Sequence, residues 1–358
     1  RVLFRSLEKN IISPSEASGV VQSGFDFIDG LLPFGSVFPV KSNDGKDTVT
    51  WQKIIPPKET DAMKFRAWDA EAAHGKTVAQ SGENYTGLIP LSKMGHISER
   101  DVINHTGDST WLHDKAVEIL TQLGQEAAVR IELARIAAMV DAKITVEENG
   151  LKANTWTFDR PTSISKLTPA KVWSDVKSDP VTDVQKWVDA IKKERGRTPG
   201  AALTTSKVID ALRTNESFIT EYTGVSLANS KPRLTRAEVL DVLRTACGLA
   251  DVRMIDVLYT DLEVNNGFKM PVDTNTLIPN GTFIMFPSFN DTGLGFTASG
   301  PTAEGQDPEY GINKSVNDGF IGAMFSGGAP VKYDLWANGT MMPILQEAVS
   351  TAKASVLG

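Results

Sequence analysis

The chain has 358 residues, 41% of them hydrophobic and 23% charged, with a formal net charge of -7 and a pI near 5.3. These are ordinary globular values, so a wholly disordered chain is excluded, and the acidic balance argues against a dedicated nucleic-acid binder. No apolar run reaches transmembrane length and residues 1–10 lack a signal-peptide core, while the one cysteine, Cys247, rules out an intrachain disulfide. The expectation is a soluble chain of about two to three domain-sized units, made in a reducing compartment and not exported by a signal peptide.

Residues 1 to about 40 alternate apolar patches (Val2, Leu3, Phe4; Phe25, Phe27, Ile28; Leu31, Leu32) with Ser, Gly and Pro. Without a sustained period, they predict an extended arm whose aromatics need another surface. Thr48 to Ile55 is strand-like, and Pro56 to Pro90 predicts a long two-stranded excursion with little apolar material of its own. Lys58, Glu59, Lys64, Arg66, Trp68 and Asp69 on this loop are the candidates for contact with a neighbouring molecule, a solvated face being the alternative for its charges.

From Trp111 to Ala142, apolar residues such as Leu112, Ala116, Leu120, Leu123, Ala127 and Ile131 recur at three- and four-residue steps. They predict one amphipathic helix, capped by Asp108 or Ser109 and roughly 45 Å long. Asn149-Gly150 then predicts a hairpin over residues 143–158.

Residues 175 to 330 read as a separate mixed unit. Asp179-Pro180 opens a helix to Arg195 whose face is Val184, Trp187, Val188 and Ile191; Gly196 ends it. A second helix runs near Ser206 to Thr214, and a third starts at the capping box Thr235 to Glu238 and stops at Gly248. Val252 to Tyr259 and Thr282 to Phe286 read as strands. Val331 to Trp336 and Val349 to Val356 are terminal extended segments expected to return to the hairpin. The fold class is α+β.

Catalytic constellations are missing from the sequence. His74, His96, His105 and His113 have no metal-ligand spacing, and Cys247 lies in an apolar helical context without a neighbouring histidine. Gly75-Lys76-Thr77 resembles the end of a phosphate loop, but Ala70 stands where that motif needs glycine. Gly293 to Ala298 mimics a dinucleotide fingerprint, yet Ser299-Gly300-Pro301 cannot open the required helix, so it reads as a surface turn. Glu147 and Glu148 are adjacent and point to opposite faces, and the basic group Lys192, Lys193, Arg195 and Arg197 reads as a stabilised helix end. No cofactor, metal or enzymatic activity is expected.

The order of elements resembles the major capsid proteins of tailed bacteriophages, which share the Hong Kong phage type of shell fold. The local sequence is similar to the branch named for the lambda head protein E. The features are Val37-Phe38-Pro39, Phe65-Arg66-Ala67-Trp68-Asp69, Gly87-Leu88-Ile89-Pro90, the hairpin from Lys143 to Asp159, and Trp173 before Asp179-Pro180. Pro271-Val272 to Leu277-Ile278-Pro279, and Leu294-Gly295 with Gly300-Pro301-Thr302, complete the set.

The resemblance implies an N-terminal arm with its lead-in strand (1–55) and an extended loop (56–92), both lying over neighbouring subunits. It further implies a peripheral domain (93–175) with spine helix 111–142 and hairpin 143–158, an axial domain (176–328), and a C-terminal return to the peripheral domain (329–358). The implied partners are copies of the chain in hexamers and pentamers, a scaffold, a portal, a decoration protein and packaged double-stranded DNA, with no membrane. The place implied is the virion capsid, assembled in the host cytoplasm. A nanocompartment shell of the encapsulin kind and an α+β nucleotide-binding enzyme are the alternatives.

Overall fold

The computed structural model describes residues 5–54, 65, 68, 71, 83–148, 151, 154–195, 198–224, 233–266, 273, 277–312, 319–327 and 331–358. After a short strand, β1 (Arg5–Leu7), the Ser13 hydroxyl accepts from the Glu16 N–H at 3.2 Å and Pro14 takes the first helical position. Helix α1 (Pro14–Asp29) therefore begins where its capping chemistry allows. Its buried face, Ala17, Ser18, Val21, Gly24, Phe25 and Ile28, has helical spacing, and Phe34 and Phe38 beyond it are also fully buried. The expected extended arm is thus not seen over residues 14–38. The chain covers these aromatics itself.

Strands β2 (Val40–Ser42) and β3 (Thr48–Gln52) follow, then β4 (Glu83–Gly87), β5 (Ile89–Ile97) and helix α2 (Glu99–Asn104). The spine helix α3 (Ser109–Asp141) is capped by Asp108, whose carboxylate accepts from the Trp111 N–H at 2.9 Å. Its 33 residues make a rod of about 50 Å. Toward its C-terminus nearly every side of the helix is buried, from Ala127 to Val140, so this half is a core element and no longer amphipathic. Where α1 crosses it, Gly24 and Gly124 let the backbones touch: a Cβ at Gly124 would lie 2.1 Å from the Val21 carbonyl oxygen.

The expected hairpin forms from β6 (Lys143–Val146) and β7 (Asn154–Thr157), with Lys143 opposite Thr157 and Val146 opposite Asn154, while Asn149-Gly150 lies outside the described residues. Helices α4 (Thr162–Ser165) and α5 (Pro180–Arg195), strand β8 (Ala201–Thr204), and helices α6 (Ser206–Leu212), α7 (Glu216–Thr223) and α8 (Arg236–Thr245) come next. The predicted capping box at Thr235 and Glu238 is formed. The run Val252–Tyr259 divides into strand β9 (Asp251–Met254) and helix α9 (Ile255–Asn266), correcting the all-strand expectation. Helical spacing explains the break: Ile255, Tyr259 and Leu262 share one face against the core, while the Asp256 carboxylate in the first turn of α9 accepts from the Ser206 N–H that opens α6.

Strands β10 (Thr282–Phe286) and β11 (Gly295–Gly300), helix α10 (Ala303–Gln306), and strands β12 (Ile321–Gly327), β13 (Lys332–Leu345) and β14 (Ala352–Ser355) complete the chain. Two sheets organise it. In the six-stranded sheet β13 is central: one edge pairs with β12 and then β11, the other with β5, while β1 and β2 extend the flanks. The four-stranded sheet has the order β14-β10-β8-β9.

Two expectations change here. Gly295 to Gly300 is no surface turn but a wholly buried strand, where a Cβ on Gly295 would meet the Ile344 carbonyl oxygen and the Phe38 ring. The C-terminal segment returns to β10 rather than to the hairpin, with Phe283 opposite Ala354.

Two cores share the four-stranded sheet. Ala201, Leu203, Ile284 and Phe286 face the spine helix core, whereas the alternating Ala202, Phe283 and Met285 face a second core with Trp173, Trp187 and Val239. Trp173, before α5, donates its indole N–H to Asp183 at 3.1 Å and stacks on Trp187.

One charged group joins the N-terminal segment to the spine. Arg135 has no exposed surface; its Nε donates to Thr297 Oγ1 at 3.0 Å, Nη2 to the Phe38 carbonyl at 3.2 Å, and Nη1 pairs with Asp29 and with Glu132 at 3.4 Å. Glu132 accepts in turn from the Phe34 N–H at 3.0 Å and the Tyr259 hydroxyl at 2.6 Å. Burial pushes the Glu132 carboxyl up, against the pull of Arg135 and these two donors. Removing the cation strands two acidic groups and two further acceptors, so Arg135→Met should destabilise the fold by about 3–5 kcal/mol, read from the denaturant midpoint.

Candidate assembly surface

The predicted contact residues lie in the segment between β3 and β4, which pair from Thr48 with Gly87 to Gln52 with Glu83. Alternation along β3 buries Val49 and Trp51. The Trp51 indole N–H donates to Thr86 Oγ1 at 2.8 Å, and its ring lies 6.0 Å from that of Phe158 after the hairpin. Lys53 pairs with Asp159, and the Ile54 N–H donates to the Gln346 carbonyl at 3.1 Å. The base of this segment is therefore fastened to the body.

Beyond the base the burial logic reverses. Trp68 is 97% exposed and the neighbouring Phe65 is at the limit of full exposure. A single exposed aromatic is unremarkable, but two so near in sequence present apolar area that water solvates poorly. Of the candidates, Trp68 alone is described; Lys58, Glu59, Lys64, Arg66 and Asp69 lie outside the described residues.

A second surface was not legible in the sequence. Between α1 and α3 runs an open groove of about 420 Å³, lined by Glu16, Gly19, Val20, Phe27, Val117 and Thr121 among others. Phe27 is 60% exposed on its wall. At one end His113 bridges two carboxylates, Nε2 to Glu16 at 2.9 Å and Nδ1 to Asp114 at 3.5 Å.

The rest of the chemistry is structural. His105 stacks on Trp111 with ring centroids 3.7 Å apart, and His96 is exposed on β5. His74 and Gly75 to Thr77 lie outside the described residues. Cys247 is buried, which pushes its thiol up to about 12 and leaves little thiolate. Among the described residues no group of His, Cys, Asp and Glu could hold a metal ion, and no helix is long and apolar enough to cross a membrane. Arg160, whose guanidinium burial draws down to about 10, donates to the Val140 and Met139 carbonyls and so caps the spine helix.

The bridge at His113 makes a pH prediction. Hydrogen bonds to Glu16 and then to Asp114 raise its pKa above the ordinary imidazole value. The contact between α1 and α3 therefore adds stability that is complete below about pH 6.5 and disappears as pH rises through the raised folded value. Melting curves should show the deficit of His113→Gln to be larger near pH 6 than near pH 9.

The sequence pattern of the family described as phage major capsid protein E matches residues 96–310. Among solved structures, a prophage protein of Escherichia coli CFT073 assigned to the capsid superposes with a TM-score of 0.58 at 12% identity, over 99% of both chains. A phage-related protein of Bordetella bronchiseptica RB50 gives 0.49 at 13% identity over 99% of this chain and 98% of its own. The virus-like particle protein of Pyrococcus furiosus gives 0.46 at 10% identity over 94% and 97%. No curated protein matches. The likeness to the Escherichia coli structure establishes the fold, and the match over 96–310 establishes kinship: this chain belongs to the phage major capsid protein E family.

Proposed function

We propose that this major capsid protein builds the head shell of a tailed phage, its copies closing into hexamers and pentamers of an icosahedral shell around double-stranded DNA. The observation that carries this reading is the contrast between a self-contained body and a segment between β3 and β4 whose Phe65 and Trp68 meet solvent. Ordering such a segment is favourable only where partners cover it. Contacts of this head-to-tail kind close into rings when the rotation fits, and rings join into shells. Lys58, Glu59, Lys64, Arg66, Trp68 and Asp69 of that segment are the proposed intersubunit contacts.

The four-stranded-sheet unit is assigned to the capsomer centre, as axial domain, and the spine-helix body to its periphery. With a net charge of -7 the subunit repels packaged DNA on average, so contact with the genome is weak and independent of sequence. A scaffold and a portal complete the proposed set of partners, and assembly takes place in the host cytoplasm. The role is structural and needs no catalytic group. The family match favours a phage head over an enzyme-filled compartment.

Negative-stain microscopy of the co-expressed protein should find closed shells, whereas a strictly monomeric chain in every condition, with scaffold included, contradicts the reading. The double variant Phe65→Ser, Trp68→Ser should keep the fold within about 0.5 kcal/mol, because both side chains are exposed, yet lose particle formation.

A further inference from the structure

The hairpin leaves the body through two residues that both hold an unfavourable backbone. Ala142, at the end of α3, has φ 49° and ψ 31°, and Asp159, just after β7, has φ 50°. Helices commonly end on a left-handed residue, but that residue is usually glycine, which has no Cβ to clash. Among the described residues only Asp44 shares a positive φ without being glycine. The two residues also meet across the base of the hairpin, where the Phe158 N–H donates to the Ala142 carbonyl at 2.8 Å.

Toward the body, the next residue is fastened in each case. Asp141 pairs with Lys353 at 2.6 Å, and Arg160 donates to Thr351 Oγ1 at 2.8 Å and to the Val140 carbonyl at 3.0 Å. Within the hairpin the hold is lighter. Ile144 is the one fully covered side chain of β6 and β7, Val146 and Trp156 are half-buried, and Glu148 reaches back to Arg130 at 2.8 Å.

Fixed ends, one strained residue at each, and a two-stranded unit between them are the anatomy of a hinge. We infer that the hairpin is a pivoting arm with a second position lifted from the spine, reached when Ala142 and Asp159 leave the left-handed region for the extended one. The core around Arg135 stays as it is, so one chain has two outlines. Lys53 pairs with Asp159 and ties the second pivot to the base of the segment between β3 and β4.

Magnitudes decide how often the arm lifts. A left-handed residue other than glycine is disfavoured by a factor of about 5–30, and by less for aspartate, whose short side chain tolerates it. Exposing Ile144 costs a factor of about 10–150. Strain in the pivots therefore offsets most of the packing, and the lifted position is a minor state on the order of a few per cent.

The pivot belongs to the single chain, so the unassembled full-length protein tests it, and its failure leaves the shell reading untouched. Nitroxide labels on Glu118→Cys in α3 and Asn154→Cys in β7, both exposed positions, report the distance from spine to hairpin by pulsed electron resonance. Cys247, buried and poor in thiolate, stays unlabelled. Two distances are expected. The minor one should grow about tenfold in Ile144→Ala and about threefold in the milder Ile144→Val, then shrink at least about threefold when Ala142→Gly is added to either. A single distance in both Ile144 variants overturns the inference. So does a minor fraction that rises with Ala142→Gly, since residue 142 is then a loose tether and not a strained pivot.

Discussion

A cation with no access to water holds this subunit together. Arg135 lies in the buried half of α3, and a guanidinium there is tolerable only because four acceptors surround it, Asp29, Glu132, Thr297 and the Phe38 carbonyl, with Glu132 accepting in turn from the Tyr259 hydroxyl. Those partners come from the end of α1, the segment after it, β11 and α9. The network therefore joins parts of the chain distant in sequence at one point. It also commits residues 14–38 to their own spine helix, which is why the aromatics Phe25, Phe34 and Phe38 are satisfied before any partner arrives.

The four-stranded sheet extends that joint. Each of β8 and β10 sends alternate side chains to the spine core and to the core around Trp173, so neither core is closed without the sheet between them. The segment between β3 and β4 is the counterpart. Trp51 and Phe158 anchor its base, whereas Phe65 and Trp68 find no cover in the same molecule. Rigid body and uncovered aromatics together are what a building block of a closed shell requires.

Local chemistry made much of this legible in the sequence. The spine helix follows from its spacing and from Asp108, α5 from Asp179-Pro180, α8 from Thr235 and Glu238, and the hairpin from Asn149-Gly150. Helix α1 was not legible because Ser18 and Gly24 occupy positions of its buried stripe, so that Ala17, Val21, Phe25 and Ile28 looked like scattered patches. There glycine marks a helix crossing, not a break. Strand β11 was read as a turn for the same reason: its glycines admit Phe38 and the neighbouring backbone. The pairing of β14 with β10 is a long-range choice that no local pattern encodes. At the candidate surface, Trp68 stood out by residue type alone, but the groove between α1 and α3 required α1 to be known first.

Hydrogen–deuterium exchange, compared between the isolated subunit and the assembled particle, bears most directly on a self-contained body with a segment that only another copy covers. Amides from Phe25 to Phe38 should be protected equally in both states, and those around Phe65 and Trp68 should slow only in the particle. Protection around Phe65 and Trp68 already present in the lone subunit, or absent from the particle, would contradict this picture.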